Sequence, residues 1–121
     1  MTVRMVVQLS IESENLGQFK KFVTDITTMA RTREQGRTLS YDFFSTTPGS
    51  LDFLLHEMYV DVDAFVAHMG NLGEHMAVAQ KIFKIERMIV SGKLPSALVQ
   101  QLKSMGASTF VYSEPVSQLA G

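Results

Sequence analysis

The stretch Phe53-Leu54-Leu55-His56-Glu57-Met58-Tyr59-Val60-Asp61-Val62-Asp63-Ala64-Phe65-Val66-Ala67-His68 decides how this chain folds. It opens as an apolar run with β-branched and aromatic members, which reads as a strand. It then reaches Asp61, a good helix N-cap, with Asp63 adding negative charge at the positive helix end. Ala64, Phe65, His68 and Met69 share one face of the helix that follows. A glutamate and two histidines thus sit inside core-forming sequence. Charged groups there need partners or a wet cavity. His56 and Glu57 are neighbours on a strand, so their side chains leave on opposite sheet faces.

Upstream, Thr38 to Thr46 reads as a strand with Tyr41 and Phe43 on one face and Asp42 and Phe44 on the other. Thr47-Pro48-Gly49-Ser50 is a turn, so this strand and Leu51 to Val60 form an antiparallel hairpin. Val3 to Leu9 is a short buried strand. From about Ser13, Leu16, Phe19, Phe22, Val23, Ile26, Met29 and Ala30 repeat at helical spacing. Arg31 and Arg33 suit the negative end of that helix, and Gly36 suits its stop. Downstream, Gly70-Asn71-Leu72-Gly73 predicts a break, with Glu74 to Gln80 resuming as a short helix. Lys81 to Ser91 predicts a long strand. Leu94-Pro95 opens a third helix carrying Leu98, Val99, Leu102 and Met105, and Gly106 stops it. Ser108 to Ser113 is a last strand, and the six residues after Pro115 are expected to fray.

The order is βαββαβ followed by αβ. It predicts an α+β fold, a ferredoxin-like split βαβ with an extra C-terminal helix and strand. Residues 1–121 make a single domain, with 1–92 as the core and 93–121 as the extension. Two helices on one sheet face leave the other uncovered. Apolar residues on both faces, with Tyr41, Phe43, Phe53 and Leu55 and their alternates, predict a homodimer that meets sheet to sheet.

Composition removes several function classes. Hydrophobic residues are 45% of the 121, enough for a core without staples. A net charge of −1 gives no footprint for nucleic acid or anionic lipid. With no cysteine there is no thiol catalysis, disulfide or iron–sulfur chemistry. No apolar run approaches the ~20 residues of a membrane span, and Met1 to Leu9 lacks a secretory pattern. No membrane partner and a cytoplasmic location are expected. There is no phosphate loop, Gly-x-Gly-x-x-Gly or Gly-x-Ser-x-Gly.

The three histidines, His56, His68 and His75, fall within twenty positions. They lack a metal-ligand spacing, so no metal and no cofactor are expected. Histidine transfers protons near neutral pH. His68 is the candidate general base, or the group orienting a substrate hydroxyl, and Asn71 the candidate donor to the anion that forms. The competing structural reading makes His68 a hydrogen-bonded histidine at the core edge and His75 a surface residue. Tyr41, Phe43, His56, Tyr59, Phe65 and His75 are the candidate substrate-binding residues for a flat apolar small molecule. Glu57 is expected to accept hydrogen bonds from backbone or from a partner such as Arg87.

The pattern Glu57-x-Tyr59-x-Asp61-x-Asp63-Ala64-x-x-x-His68 resembles the signature of the antibiotic biosynthesis monooxygenase family. Gly36, Tyr41-Asp42 and the turn at Pro48 extend the likeness, which covers about residues 1–92. The resemblance implies a dimeric α+β barrel with a pocket between sheet and helices. It implies a cofactor-independent monooxygenase acting on a small aromatic, phenol or quinol-type substrate. His68 falls on the family's helix histidine, whereas Glu57, Tyr59 and Asp61 match scaffold positions. The family's haem-degrading branch relies on a tryptophan, and this chain has none. Its phosphosugar-isomerase branch would need basic residues such as Arg4, Arg37 and Arg87 at the pocket. The alternatives are an isomerase of a small carbonyl or phosphosugar compound, and a non-catalytic small-ligand-binding or assembly module. The extension 93–121 lies outside the resemblance and is expected to embrace the partner subunit or cap the pocket.

Overall fold

A computed structural model describes residues 1–119. Strand β1 (Val3–Ile11) alternates strictly, with Val3, Met5, Val7, Leu9 and Ile11 buried. It occupies the centre of a five-stranded sheet of order β2-β3-β1-β4-β5. Its partners β3 (Asp52–Tyr59) and β4 (Phe83–Ser91) are both antiparallel to it, and β2 (Thr38–Ser45) is antiparallel to β3. The expected βαββαβ order is present. β5 (Thr109–Ser113) is added parallel to β4 after helix α3 (Ser96–Lys103).

Helix α1 (Leu16–Arg33) follows a short 3-10 turn over Ser13–Asn15 and buries Phe19, Phe22, Ile26, Met29 and Ala30. Helix α2 (Val62–Ile82) starts at Asp61, whose carboxylate accepts from the Ala64 amide at 2.8 Å. The expected break at Gly70–Gly73 does not occur, and α2 runs unbroken. Phe65, His68, Leu72, Met76, Ala79 and Ile82 keep one stripe in helical register across both glycines. Its burial outweighs roughly 1 kcal/mol of lost propensity per glycine. Lys81 and Ile82 are consequently helical rather than part of β4.

Phe53, Leu55, Glu57 and Tyr59 point at the helices with Tyr41 and Phe43. The opposite sheet face carries Phe44, Leu54, His56, Met58, Val6, Ile89 and Val111 among Arg4, Asp42, Gln8 and Arg87. The extension is anchored to the core. Leu102 is fully buried, and the Tyr112 hydroxyl donates to the Gly92 carbonyl at 2.9 Å and accepts from the Leu94 amide at 3.1 Å. Of the tail expected to fray, Gln118 donates to the Thr2 carbonyl at 3.2 Å, and residues 120–121 lie outside the described residues. Among the described residues no helix is long and apolar enough to cross a membrane.

Candidate active site

Between sheet and helices lies a cavity of about 60 Å³. Its wall is almost wholly apolar: Val7, Leu9, Leu55, Leu72 and Ile85, the rings of Phe22, Phe43 and Phe83, and five of the chain's eight methionines, Met5, Met69, Met76, Met88 and Met105. Tyr41 and Glu57 complete it. An aromatic ring needs more room, on the order of 150 Å³. Methionine is the side chain that yields most readily to a guest. Met76, Phe83, Ile85 and Met105 also line an outer cleft of about 290 Å³ with Gln80, Lys84 and Gly106. Four side chains thus separate the cavity from this cleft at the end of α2, and Met105 of the extension is one of them.

Glu57 is the one carboxylic acid in this wall. Strand alternation turns it inward and His56 outward. Burial pushes its pKa up, the hydroxyl of Tyr59 donating to it pulls back, and the Glu34 charge adds to the rise, leaving it at about 7. Arg87 is not its partner. Arg87 stands opposite Gln8 and so faces the other side of the sheet, and Tyr59, two residues along the same strand, takes that place.

Behind Glu57 and Tyr41 stands His68, fully buried on α2 and packed against the rings of Tyr41 and Tyr59 at 4.8 and 5.1 Å. Its Nδ1 lies 2.7 Å from Glu34 Oε1. Its Nε2 has no hydrogen-bond partner and lies 3.9 Å from Glu57 Oε1, too long for a hydrogen bond. Glu34, just past the end of α1, also accepts from the Thr38 hydroxyl at 2.7 Å and the Asn71 amide at 2.9 Å. Burial raises its pKa, but the hydrogen bonds to Thr38, Asn71 and His68, joined by the His68 charge whenever that ring is protonated, outweigh this and hold it below the usual carboxylate value. Burial also lowers the His68 pKa, against the pull of Glu34. Both phenols are pushed up, mainly by burial and then by the carboxylates, so they remain donors. The resting arrangement is an ionised Glu34 and a neutral His68 with its proton on Nδ1.

Of the residues singled out in the sequence, Tyr41 and Phe43 line the cavity. His68 stands one layer behind it, and Asn71 is turned to Glu34. Tyr59 and Phe65 are buried against each other with ring centroids 5.2 Å apart, beside the cavity wall. His56 packs edge-on against Phe44 on the open sheet face, and half-exposed His75 does not reach the cavity. Glu34 was missed. One signal was present: an acidic residue at the negative end of a helix is misplaced for the dipole and needs another reason. Among the described residues no group of three or more His, Asp or Glu is placed to hold a metal ion.

No protein-family model matches the chain, and no curated protein does. Solved structures do. MupZ from Pseudomonas fluorescens superposes with a TM-score of 0.78 at 19% identity, over 99% of this chain and 94% of its own. SnoaB from Streptomyces nogalater, a cofactor-independent oxygenase, gives 0.61 at 12% identity, over 74% of this chain and 89% of its own. A candidate antibiotic biosynthesis monooxygenase from Deinococcus radiodurans gives 0.60 at 14%, over 74% and 89%. The ferredoxin-like βαββαβ order expected from the sequence is the order this chain has, and these solved structures share its fold. The likeness to MupZ extends over nearly the whole chain, extension included.

Proposed function

We propose that this protein is an enzyme that moves a proton on an apolar small molecule bound in the methionine-lined cavity, as the first step of a cofactor-independent oxygenation. The observation that carries this is Glu57, a lone carboxyl group in an apolar wall with its pKa near 7. A group so tuned serves as acid or base at neutral pH. The substrate class is a phenol or quinol. Loss of its proton gives an electron-rich anion that reduces oxygen directly, and a phenol plus O2 gives a quinone plus water with no outside reductant. The apolar wall excludes water from that anion. The shared fold with SnoaB supports the oxygenase reading at the level of analogy.

In this reading Glu57 touches the substrate, Tyr41 and Phe43 stack on it, and His68 and Asn71 act through Glu34 and Glu57. The protein works as a homodimer, its open sheet faces apposed through Val6, Leu54, Met58 and Ile89.

A second reading rests on the same pKa. A carboxyl that is half protonated can return the proton to a different carbon, which is isomerisation without oxygen. Oxygen uptake with a panel of phenols and quinols separates the two. Uptake that depends on Glu57 supports oxygenation. Proton exchange at a substrate carbon without uptake supports isomerisation, and neither with any compound that binds supports a binding module.

A further inference from the structure

Three donors converge on Glu34: the Thr38 hydroxyl, the Asn71 amide and His68 Nδ1. Thr38 and Asn71 both donate to Glu34, whose pKa is held below the usual carboxylate value, so Glu34 is ionised; the ring nitrogen 2.7 Å from it, Nδ1, then carries the imidazole proton and the lone pair is on Nε2. That lone pair is sealed from solvent, has no partner, and faces Glu57 Oε1 at 3.9 Å. A bare nitrogen opposite a carboxylate repels, even with the Tyr59 hydroxyl donating to that carboxylate. A nitrogen opposite a carboxyl O–H attracts, and so does an imidazolium opposite a carboxylate. Both favourable states hold one proton between the two residues.

We propose that Glu57 and His68 share a single exchangeable proton, with Glu34 as the fixed counter-charge that lets His68 accept it. The idea rests on the role given to Glu57 in the cavity. In the transfer the Glu57 O–H bond breaks, its electron pair stays on the carboxylate, and an Nε2–H bond forms. The total charge of the three residues is unchanged, so no net charge is buried in the step. Closing from 3.9 Å to hydrogen-bond distance takes an approach of about 1 Å. The product is a carboxylate facing the cavity with an imidazolium behind it. Glu57 thereby becomes a base without releasing its proton into the apolar pocket. His68 is a positioning residue that sets the state of Glu57. The titratable groups facing it are Glu34 past α1, Tyr41 from β2, and Glu57 and Tyr59 from β3. No Lys or Arg among the described residues forms an ion pair with the three.

The test is a pH titration of the intact protein with 15N-labelled histidine. NMR follows both ring nitrogens of His68, and infrared follows the Glu57 carboxyl. In the wild type the His68 Nε2 signal and the carboxyl band are expected to move over one common pH range. Glu57→Gln is expected to lower the His68 midpoint by about one pH unit or more, a tenfold change in proton affinity. Tyr59→Phe removes the hydroxyl that stabilises the Glu57 carboxylate. It shifts the shared proton toward Glu57, so the His68 midpoint falls in this variant also, which covers a Glu57→Gln protein that does not fold. A His68 titration unchanged in the folded variants overturns the proposal. Failure of the proposed function reads differently: Glu57→Gln would keep its turnover whatever His68 does.

Discussion

His68 Nδ1 sits 2.7 Å from Glu34 Oε1, a buried contact between residues 34 apart in the chain. It joins the end of α1 to the middle of α2 and leaves the other ring nitrogen facing Glu57. A hydrogen bond to a charged group contributes about 1.5–3 kcal/mol, and a buried donor stripped of its acceptor costs a similar amount. Glu34→Gln is therefore expected to destabilise the fold by about 2 kcal/mol in urea unfolding at pH 7. The folded-state pKa of Glu34 is depressed, so its contribution is present above the unfolded value and lost as pH falls through the folded one. The cost of the substitution should shrink in acid. A cost independent of pH would contradict the ionised state of Glu34.

Glu57 gives the opposite pH signature. Its folded pKa is raised from 4.5 to about 7, so the folded state holds its proton more tightly than the unfolded state does. Wild-type stability should fall as pH rises from about 5 to above 7, by up to about 3 kcal/mol. Glu57→Gln has no such loss. Its melting temperature relative to wild type should climb across that window, and a constant difference would count against a buried, protonated Glu57.

Leu102 on α3 is fully buried in the core, and Met105 just beyond it lines the cavity. Leu102→Ala is expected to cost about 2–5 kcal/mol, the range for large-to-small changes in a core. If the loss stays under ~0.5 kcal/mol, the extension is an appendage.

Val6 lies at the middle of the open sheet face, opposite His56 on β3 and Ile89 on β4. A lysine there would meet its own copy across a sheet-to-sheet dimer. Sedimentation should show wild type at twice the mass of Val6→Lys at low micromolar concentration. A wild type that sediments at 13.5 kDa would remove the dimer.

The parts of the fold legible in the sequence were those written in local pattern. Asp61 marked a helix start, the alternation around Tyr41 and Phe43 marked a strand, and Phe65 and His68 marked a buried face. The continuity of α2 was hidden because Gly70 and Gly73 look like a stop, although Leu72, Met76 and Ala79 carry the stripe through. The site was harder. His68 was visible as a histidine in core sequence, but Glu34 is joined to it only by the packing of α1 on α2. The pairing of Glu57 depended on register, which places Arg87 on the far face and Tyr59 at hand. The five methionines of the cavity come from different elements and share no sequence pattern.

The most direct test is the turnover of Glu57→Gln on the first phenol or quinol that supports oxygen uptake by the wild type. General acid–base groups contribute on the order of 10²–10⁴ in rate. The expected result is a fall of at least ~100-fold in kcat, with the variant folded and binding the compound as wild type does. Turnover within about threefold of wild type would contradict a proton-transfer role for Glu57.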